Sequence, residues 1–309
     1  MVSTRTPSSP PERPLGPARI VVGIPTVDRP SIVDQTVNAI SEQTRLPDEL
    51  VVSGHHEADF GTLPQADLPF PFRLLTGPKG TCHQRNRIIQ TLERDDIILF
   101  LDDDFLMAPD FIAQVERLFR DHPDVVVATG RVLVDGIMGP GYDFDEGRKI
   151  LQTALRQPPE DAIRPVRNGY GCNMAIRLRP VFEHDIRFDE NLPLYGWFED
   201  VDFSVRVGKY GRVVQADCLR GVHLGTKTGR TSGIRFGYSQ IANIDYLRRK
   251  GTLGRNDAFQ KAWRNVLSNL YHSVFQVEWI DHRGRLKGNL VGLWDLLRGC
   301  ADPLKITRI

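Results

Sequence analysis

The chain predicts an α/β fold with a doubly wound, mostly parallel sheet covered by helices on both faces. Two observations carry this. From residue 18 onward the order strand, helix, strand, then helix and strand again is the order of a doubly wound sheet. Residues 97–105 read IILFLDDDF, an apolar run with the length of a strand buried on both faces, which ends abruptly in three carboxylates. Such acids stand where open α/β sheets bind ligands, outside the carboxyl ends of the strands.

Taken in order, residues 18–24 (ARIVVGI) form a first strand closed by Pro25. Asp28-Arg29-Pro30 starts a helix over 31–43, with Ile32, Val33, Val37 and Ile40 at helical spacing. Residues 47–52 and 72–75 are strands, 80–92 a helix, and the acid-tipped strand follows. Residues 124–134 form another strand, and 136–165 are irregular and charged with one helix. Residues 172–176 are a short strand, 197–210 a helix and 212–216 a strand. Trp263, Val266, Leu267, Leu270, Tyr271, Val274 and Phe275 line one helical face, and a last helix covers 290–297.

The 309 residues suffice for one large α/β domain or two small ones. A Pro-, Ser- and Arg-rich stretch over 1–17 reads as a disordered tail, 18–250 as the α/β domain and 251–309 as a helical extension. The net charge of +1 gives no electrostatic case for nucleic-acid binding. Cys82, Cys172, Cys218 and Cys300 lie far apart without a CxxC pair, which fits a reducing compartment and neither a disulfide framework nor a zinc site. No apolar run approaches the roughly 20 residues that span a bilayer, so a cytoplasmic protein, at most peripheral to the membrane's inner face, is expected.

Three adjacent acids repel one another, and a divalent cation compensates them; hard carboxylate oxygens suit Mg²⁺ or Mn²⁺. Alternation along the strand sends Asp102 and Asp104 one way and Asp103 the other. The competing reading is a solvated turn with Asp104 or Asp110 capping the next helix. In GWFEDVDFSVR, Glu199 and Asp200 open a helix, where carboxylates favour the helix dipole; a carboxylate held there beside a cation and under Trp197 can also act as a general base. Asp202 and Arg206 read as a structural pair. His223 precedes a glycine-rich loop bearing Lys227 and Arg230, which can fold over a diphosphate, and a neutral imidazole can complete a metal shell begun by Asp104. Arg85, on the helix that Gly80 opens, can face a phosphate or pair with an acid.

PTVDRP, HQRN, FLDDDF, GCNMAIR, GWFEDVDFSVR and a His before a basic glycine loop, in that order, resemble the family-2 glycosyltransferases of GT-A fold over residues 19–246. The resemblance implies a GT-A-like, Rossmann-like sheet, a nucleotide-diphospho-sugar donor (a UDP-sugar favoured), a divalent metal and inversion at the anomeric carbon. It assigns Pro25, Thr26 and Arg29 to the nucleotide, Arg85 and Asn86 to base and ribose, and Asp102, with Asp103 beside it, to the ribose. It gives Asp104 and His223, with Asp102, to the metal, Asp200 with Glu199 to catalysis, and Gly171, Asn173 and Met174 to the acceptor side; Lys227 and Arg230 stay with the diphosphate on the loop's own chemistry. Val27-Asp28 and Ser53-Gly54-His55 depart from the family pattern and leave the base preference open.

Three other classes compete. An aspartate-nucleophile phosphatase wants Thr or Val where Leu106 stands. A sugar-nucleotide nucleotidyltransferase needs a Gly-rich basic turn after the first strand, which PTVDRP is not. A non-catalytic sugar-nucleotide-binding protein predicts no loss of function on Asp200→Asn. The implied acceptor is a glycan or lipid-linked glycan, in cell-surface or exopolysaccharide synthesis. The C-terminal HRGRLKGNLVGLWDLLRG mixes basic and apolar residues and can lie on an anionic membrane, or pack on the domain.

Overall fold

The computed structural model describes residues 18–309 apart from 159, 230 and 276, so the expected tail over 1–17 and the role expected of Arg230 lie outside the described residues. The first half runs β1 (Ile20–Pro25), α1 (Pro30–Ile40), β2 (Glu49–Gly54), β3 (Phe72–Thr76), α2 (Thr81–Ile89), β4 (Ile97–Leu101), β5 (Phe105–Met107), α3 (Phe111–Asp121) and β6 (Val125–Asp135). There follow α4 (Phe144–Ala154), β7 (Ile163–Pro165), β8 (Asn173–Arg177), α5 (Leu178–Glu183), α6 (Glu199–Val207) and β9 (Arg212–His223). Three helices close the chain: α7 (Gly233–Lys250), α8 (Arg255–Val274) and α9 (His282–Leu297).

Among the described residues, nine strands join one sheet in the order β3-β2-β1-β4-β8-β6-β9-β5, with β7 on β9. The half β3-β2-β1-β4 is parallel throughout, as is the β6–β9 pair. Antiparallel β8 bridges β4 to β6, and β5 and β7 lie antiparallel to β9, so the parallel character expected of the sheet is concentrated in its first half.

Period-2 alternation feeds a core on each face. Ile20, Val22 and Ile24 of β1 and Ile97, Leu99 and Leu101 of β4 pack with α1 and α3 on one side. Val21, Ile98 and Phe100 pack with α2, α5, α6 and α7 on the other. With both faces apolar, every residue of β4 is buried.

Several elements differ from the sequence expectation. The strand expected over 212–216 continues to His223, because its second half pairs with β6 and β5. Helix α3 begins directly after Asp110, one of the two acids read as able to cap the next helix; Asp110 holds the N-cap position without a side-chain capping bond, and Phe111, Ile112, Val115, Leu118 and Phe119 are its buried face. Helix α7 was not expected; its buried face carries Ser239, Gln240, Asn243 and Asp245 among the apolar residues, which obscures the stripe. It packs chiefly on α9, across the expected boundary at residue 250.

Candidate active site

The carboxyl ends of β1 and β4 and the far ends of β6 and β9 meet at one edge of the sheet, around a cavity of about 310 Å³. Pro25, Thr26, Arg29, Asp102, Asp103, Asp104 and His223 line it, together with Lys79, Tyr195, Arg235, Phe236 and Arg285.

After Leu101 the chain turns, with Phe105 N–H donating to the Asp102 carbonyl at 3.1 Å, and the three carboxylates part as alternation predicts. Asp103 points to the β1 side. Its Oδ2 accepts from Thr26 Oγ1 at 2.7 Å and its Oδ1 from Arg29 at 2.8 Å, while Thr36 holds its carbonyl. Burial pushes its carboxyl above the usual range against the opposing charge of Arg29. Asp103 and Thr26 therefore serve the turn after β1 by anchoring it to the end of β4.

Asp102 and Asp104 point the other way. One oxygen of each and Nε2 of His223 lie within 4.8 Å of one another. Nε2 is 3.3 Å from Asp104 Oδ1 and 3.8 Å from Asp102 Oδ2. Nδ1 of His223 lies 2.9 Å from Asp135 Oδ1, whose other oxygen accepts from Tyr170 Oη at 2.8 Å. Burial alone would depress the His223 pKa, but hydrogen bonds to Asp104 and Asp135 and the nearby carboxylates raise it to about 10. Burial of Asp104 is likewise overcome, by His223 and Arg29, so that its carboxyl is held well below the usual range.

Two hard oxygens and an imidazole nitrogen, the latter fixed by an outer carboxylate, fit a divalent cation such as Mn²⁺ or Mg²⁺. Asp135 had no sequence motif to mark it; its position at the end of a strand in register with His223 is visible only after folding.

Behind Asp102 lies a fully buried arginine. Arg85 donates to Glu199 Oε1 and, at 2.8 Å, to the carbonyl of Gly171, and stands 3.6 Å from Asp102 Oδ1. Gly171 N–H in turn donates to Asp200 Oδ2 at 3.1 Å. Burial raises Glu199 to about 8 despite Arg85. Burial also raises Asp200, against the charge of Arg85 and the N–H groups of Val201 and Gly171. Asp200 is half-buried and is not among the residues that line the cavity; its carboxylate is oriented by these two backbone donors.

Four expectations are corrected by this geometry. Arg85 does not line the cavity, because its guanidinium is enclosed by Glu199, Gly171 and Asp102. Asn86 exchanges hydrogen bonds with the Phe188 backbone at 2.8 and 2.9 Å, turning away from the cavity. Asn173 is buried against Thr129 and Gly130, and Met174 lies in the core. Lys227 extends its ammonium to the carbonyls of Gly136 and Ile137 at 2.9 and 3.1 Å instead of into the cavity.

The loop after His223 is thus fastened to the site. Thr226 N–H donates to Asp104 Oδ2 at 2.7 Å, and Arg29 Nε to the Thr228 carbonyl at 2.8 Å. Gly225, at φ +69°, and Gly136 stack backbone on backbone, so a Cβ on either would collide with the other strand's continuation. Among the described residues, the cations lining the cavity are Arg29, Lys79, Arg235 and Arg285 besides His223. The sequence marked only the first and the last of these five, Arg29 and His223, because Arg235 and Arg285 come from α7 and α9, far along the chain.

A loop of unusual backbone borders the cavity. Leu194 and Phe198 adopt positive φ (56° and 69°), as does Gly196 between them. Non-glycine residues hold that conformation only where surroundings impose it. Here the Leu194 carbonyl accepts from Thr81 N–H at 2.8 Å, and the Trp197 carbonyl from Asn243 at 3.0 Å. The loop places Tyr195 and Trp197 beside Phe236 and delivers Glu199 and Asp200 at the start of α6.

The sequence pattern of a family described as glycosyl transferase family 2 matches residues 21–176, half of the chain. The chain is 27% identical over 180 residues to a glucosyl-dolichyl phosphate glucuronosyltransferase of Haloferax volcanii, and spans 56% of that relative's length. Its fold is similar to that of the mannosyltransferase PcManGT from Pyrobaculum calidifontis in complex with GDP-Man and Mn²⁺, with a TM-score of 0.54 and 15% identity over 92% of this chain and 91% of that one. It is also similar to residues 1–349 of S. aureus TarS in complex with UDP-GlcNAc, with a TM-score of 0.52 and 16% identity over 93% and 82% of the two chains.

Proposed function

Because the chain belongs to glycosyl transferase family 2 and has a GT-A-like fold, we propose that it transfers a sugar, with inversion, from a nucleotide-diphospho-sugar to an acceptor hydroxyl. The observation that carries this reading is the convergence of Asp102, Asp104 and His223 at the sheet edge, with Asp200 oriented alongside. A UDP-sugar is the favoured donor, and the acceptor is a glycan or lipid-linked glycan. The name of the Haloferax relative, which specifies a dolichyl-phosphate-linked sugar, supports the lipid-linked class.

The side chains divide the work. Asp102, Asp104 and His223 would hold the divalent cation, with Asp135 fixing the imidazole. The cation, when bound, supplies Lewis-acid neutralisation of charge on the departing diphosphate. Arg29, Lys79, Arg235 and Arg285 surround the cavity with positive charge suited to the same phosphates. Asp200 accepts the acceptor's hydroxyl proton as the oxygen attacks the anomeric carbon. The new C–O bond forms on the face opposite the departing diphosphate, whose C–O bond breaks with its electron pair. The raised pKa of Asp200 makes its carboxylate a better proton acceptor near neutral pH than an exposed aspartate. Glu199, paired with Arg85, is a positioning residue and not a second base.

The test is a donor panel with Mn²⁺ or Mg²⁺, measuring nucleoside diphosphate released and the anomeric configuration of the product. Release of UDP, GDP or dTDP with an inverted product supports the reading. Pyrophosphate formed from a nucleoside triphosphate and a sugar phosphate would mark a nucleotidyltransferase instead. Donor binding without turnover on any acceptor would mark a binding protein.

A further inference from the structure

Helices α8 and α9 bury mainly small and polar residues and leave most of their large apolar residues outside. Helices α7 and α9 meet through glycines: a Cβ on Gly288 would run into the backbone of Ile234 and Tyr238, and one on Gly292 into Ile241. Hydrogen-bonded amides fill the interior. Asn269 donates to Gln240 and Asn289 at 2.8 and 2.7 Å, and Asn289 donates to the Gly237 carbonyl at 2.7 Å. Phe259, Trp263, Leu267, Leu270, Tyr271 and Val274 of α8, at helical spacing on one face, are 45–69% exposed. On α9, Leu290, Trp294 and Leu297 are 57–83% exposed. Contiguous apolar surface of this kind marks an interaction site.

Charge identifies the partner. Arg283, Lys287 and Arg298 are exposed and share the helical face of Leu290 and Trp294, at spacings of 4, 7, 11 and 15 residues from Arg283. Arg264 stands beside Trp263, also exposed. The carboxylates within the two helices do not join this face: Asp257 pairs with Arg167, and Asp295 is buried on Tyr238. A second copy docked by two-fold symmetry would bring these cations near their own equivalents. Anionic headgroups over a hydrocarbon layer complement both the cations and the apolar residues. Among the described residues no helix is long and apolar enough to cross a membrane.

We propose that the outer face of α8 and α9 seats this protein on an anionic lipid bilayer. The first turns of α9 also supply Arg285 to the cavity, so seating would hold the cavity rim near the lipid surface. The proposal stands on the helices alone and survives a failure of the transferase reading.

Three of the four tryptophans, Trp263, Trp279 and Trp294, are exposed in this region and report on it directly. The full chain is mixed with vesicles of phosphatidylcholine, with or without phosphatidylglycerol, and followed by flotation and tryptophan emission. The expected result is at least ~10-fold stronger partition onto the anionic vesicles. It should be weakened by salt and accompanied by a blue shift and quenching by brominated lipid. Lys287→Glu with Arg298→Glu should remove the anionic preference, and Leu290→Ser with Trp294→Ser should remove binding. In both, the thermal unfolding transition and the circular dichroism spectrum should be retained. Equal partition onto both vesicles, or none, overturns the proposal. So does a concentration-dependent dimer that shields the tryptophans in a protein indifferent to lipid.

Discussion

His223 Nδ1 and Asp135 Oδ1 lie 2.9 Å apart, and the two residues are register partners at the common end of the parallel strands β6 and β9. The pairing of the two strands thereby sets which imidazole nitrogen faces Asp104. Nδ1 is committed to Asp135, and Nε2 is left to point at Asp102 and Asp104.

Loss of that outer carboxylate should weaken the cation site without emptying the core. Asp135→Asn is expected to reduce Mn²⁺ affinity by ~10–100-fold, the usual effect of removing a partner behind a ligating histidine. Titration calorimetry with Mn²⁺ measures it. Unchanged affinity would show that His223 needs no orientation from Asp135, or is not a ligand.

A second prediction concerns protons. Without a cation, His223 is protonated until pH rises to about 10, against 6.5 when unfolded. A raised folded-state pKa gives stability fully present below pH 6.5 and lost as pH climbs through about 10. Ligation requires the neutral ring, so cation binding at pH 7.5 should release close to one proton, and apparent affinity should rise up to ~10-fold per pH unit. Calorimetry in buffers of different ionisation enthalpy counts the proton; none released would remove His223 from the site.

Asp200→Asn keeps the shape of the side chain and can accept from one of its two backbone donors, Gly171 N–H or Val201 N–H, but cannot take a proton at neutral pH. Donor affinity should survive while kcat falls by ~10² or more. Preserved kcat with lost donor affinity would make Asp200 a binding or capping residue.

The buried Arg85–Glu199 pair makes a stability prediction. Arg85→Met alone leaves the Glu199 carboxyl buried without its guanidinium partner and should cost about 3–5 kcal/mol in urea unfolding. Adding Glu199→Gln should recover most of that loss. Activity should stay low in the double variant, because the guanidinium also holds the Gly171 carbonyl beside Asp102. A fully active double variant would reduce Arg85 to packing.

The sequence alone determined the sheet's first half and the acid-tipped strand, because strands buried on both faces need uninterrupted apolar runs that composition displays directly. It also determined that Asp102 and Asp104 point the same way while Asp103 turns away, since alternation is a property of local backbone geometry. Only the tertiary structure decided the partners. The pairing of Asp135 with His223, the withdrawal of Arg85, Asn86 and Lys227 from the cavity, and the arrival of Arg235 and Arg285 all join residues distant along the chain. Strand register and helix packing fix such contacts, and neither leaves a local pattern to read. The outer face of α8 and α9 shows the same divide: its apolar period was legible as a helix, but a period says which residues share a face and not whether that face turns inward.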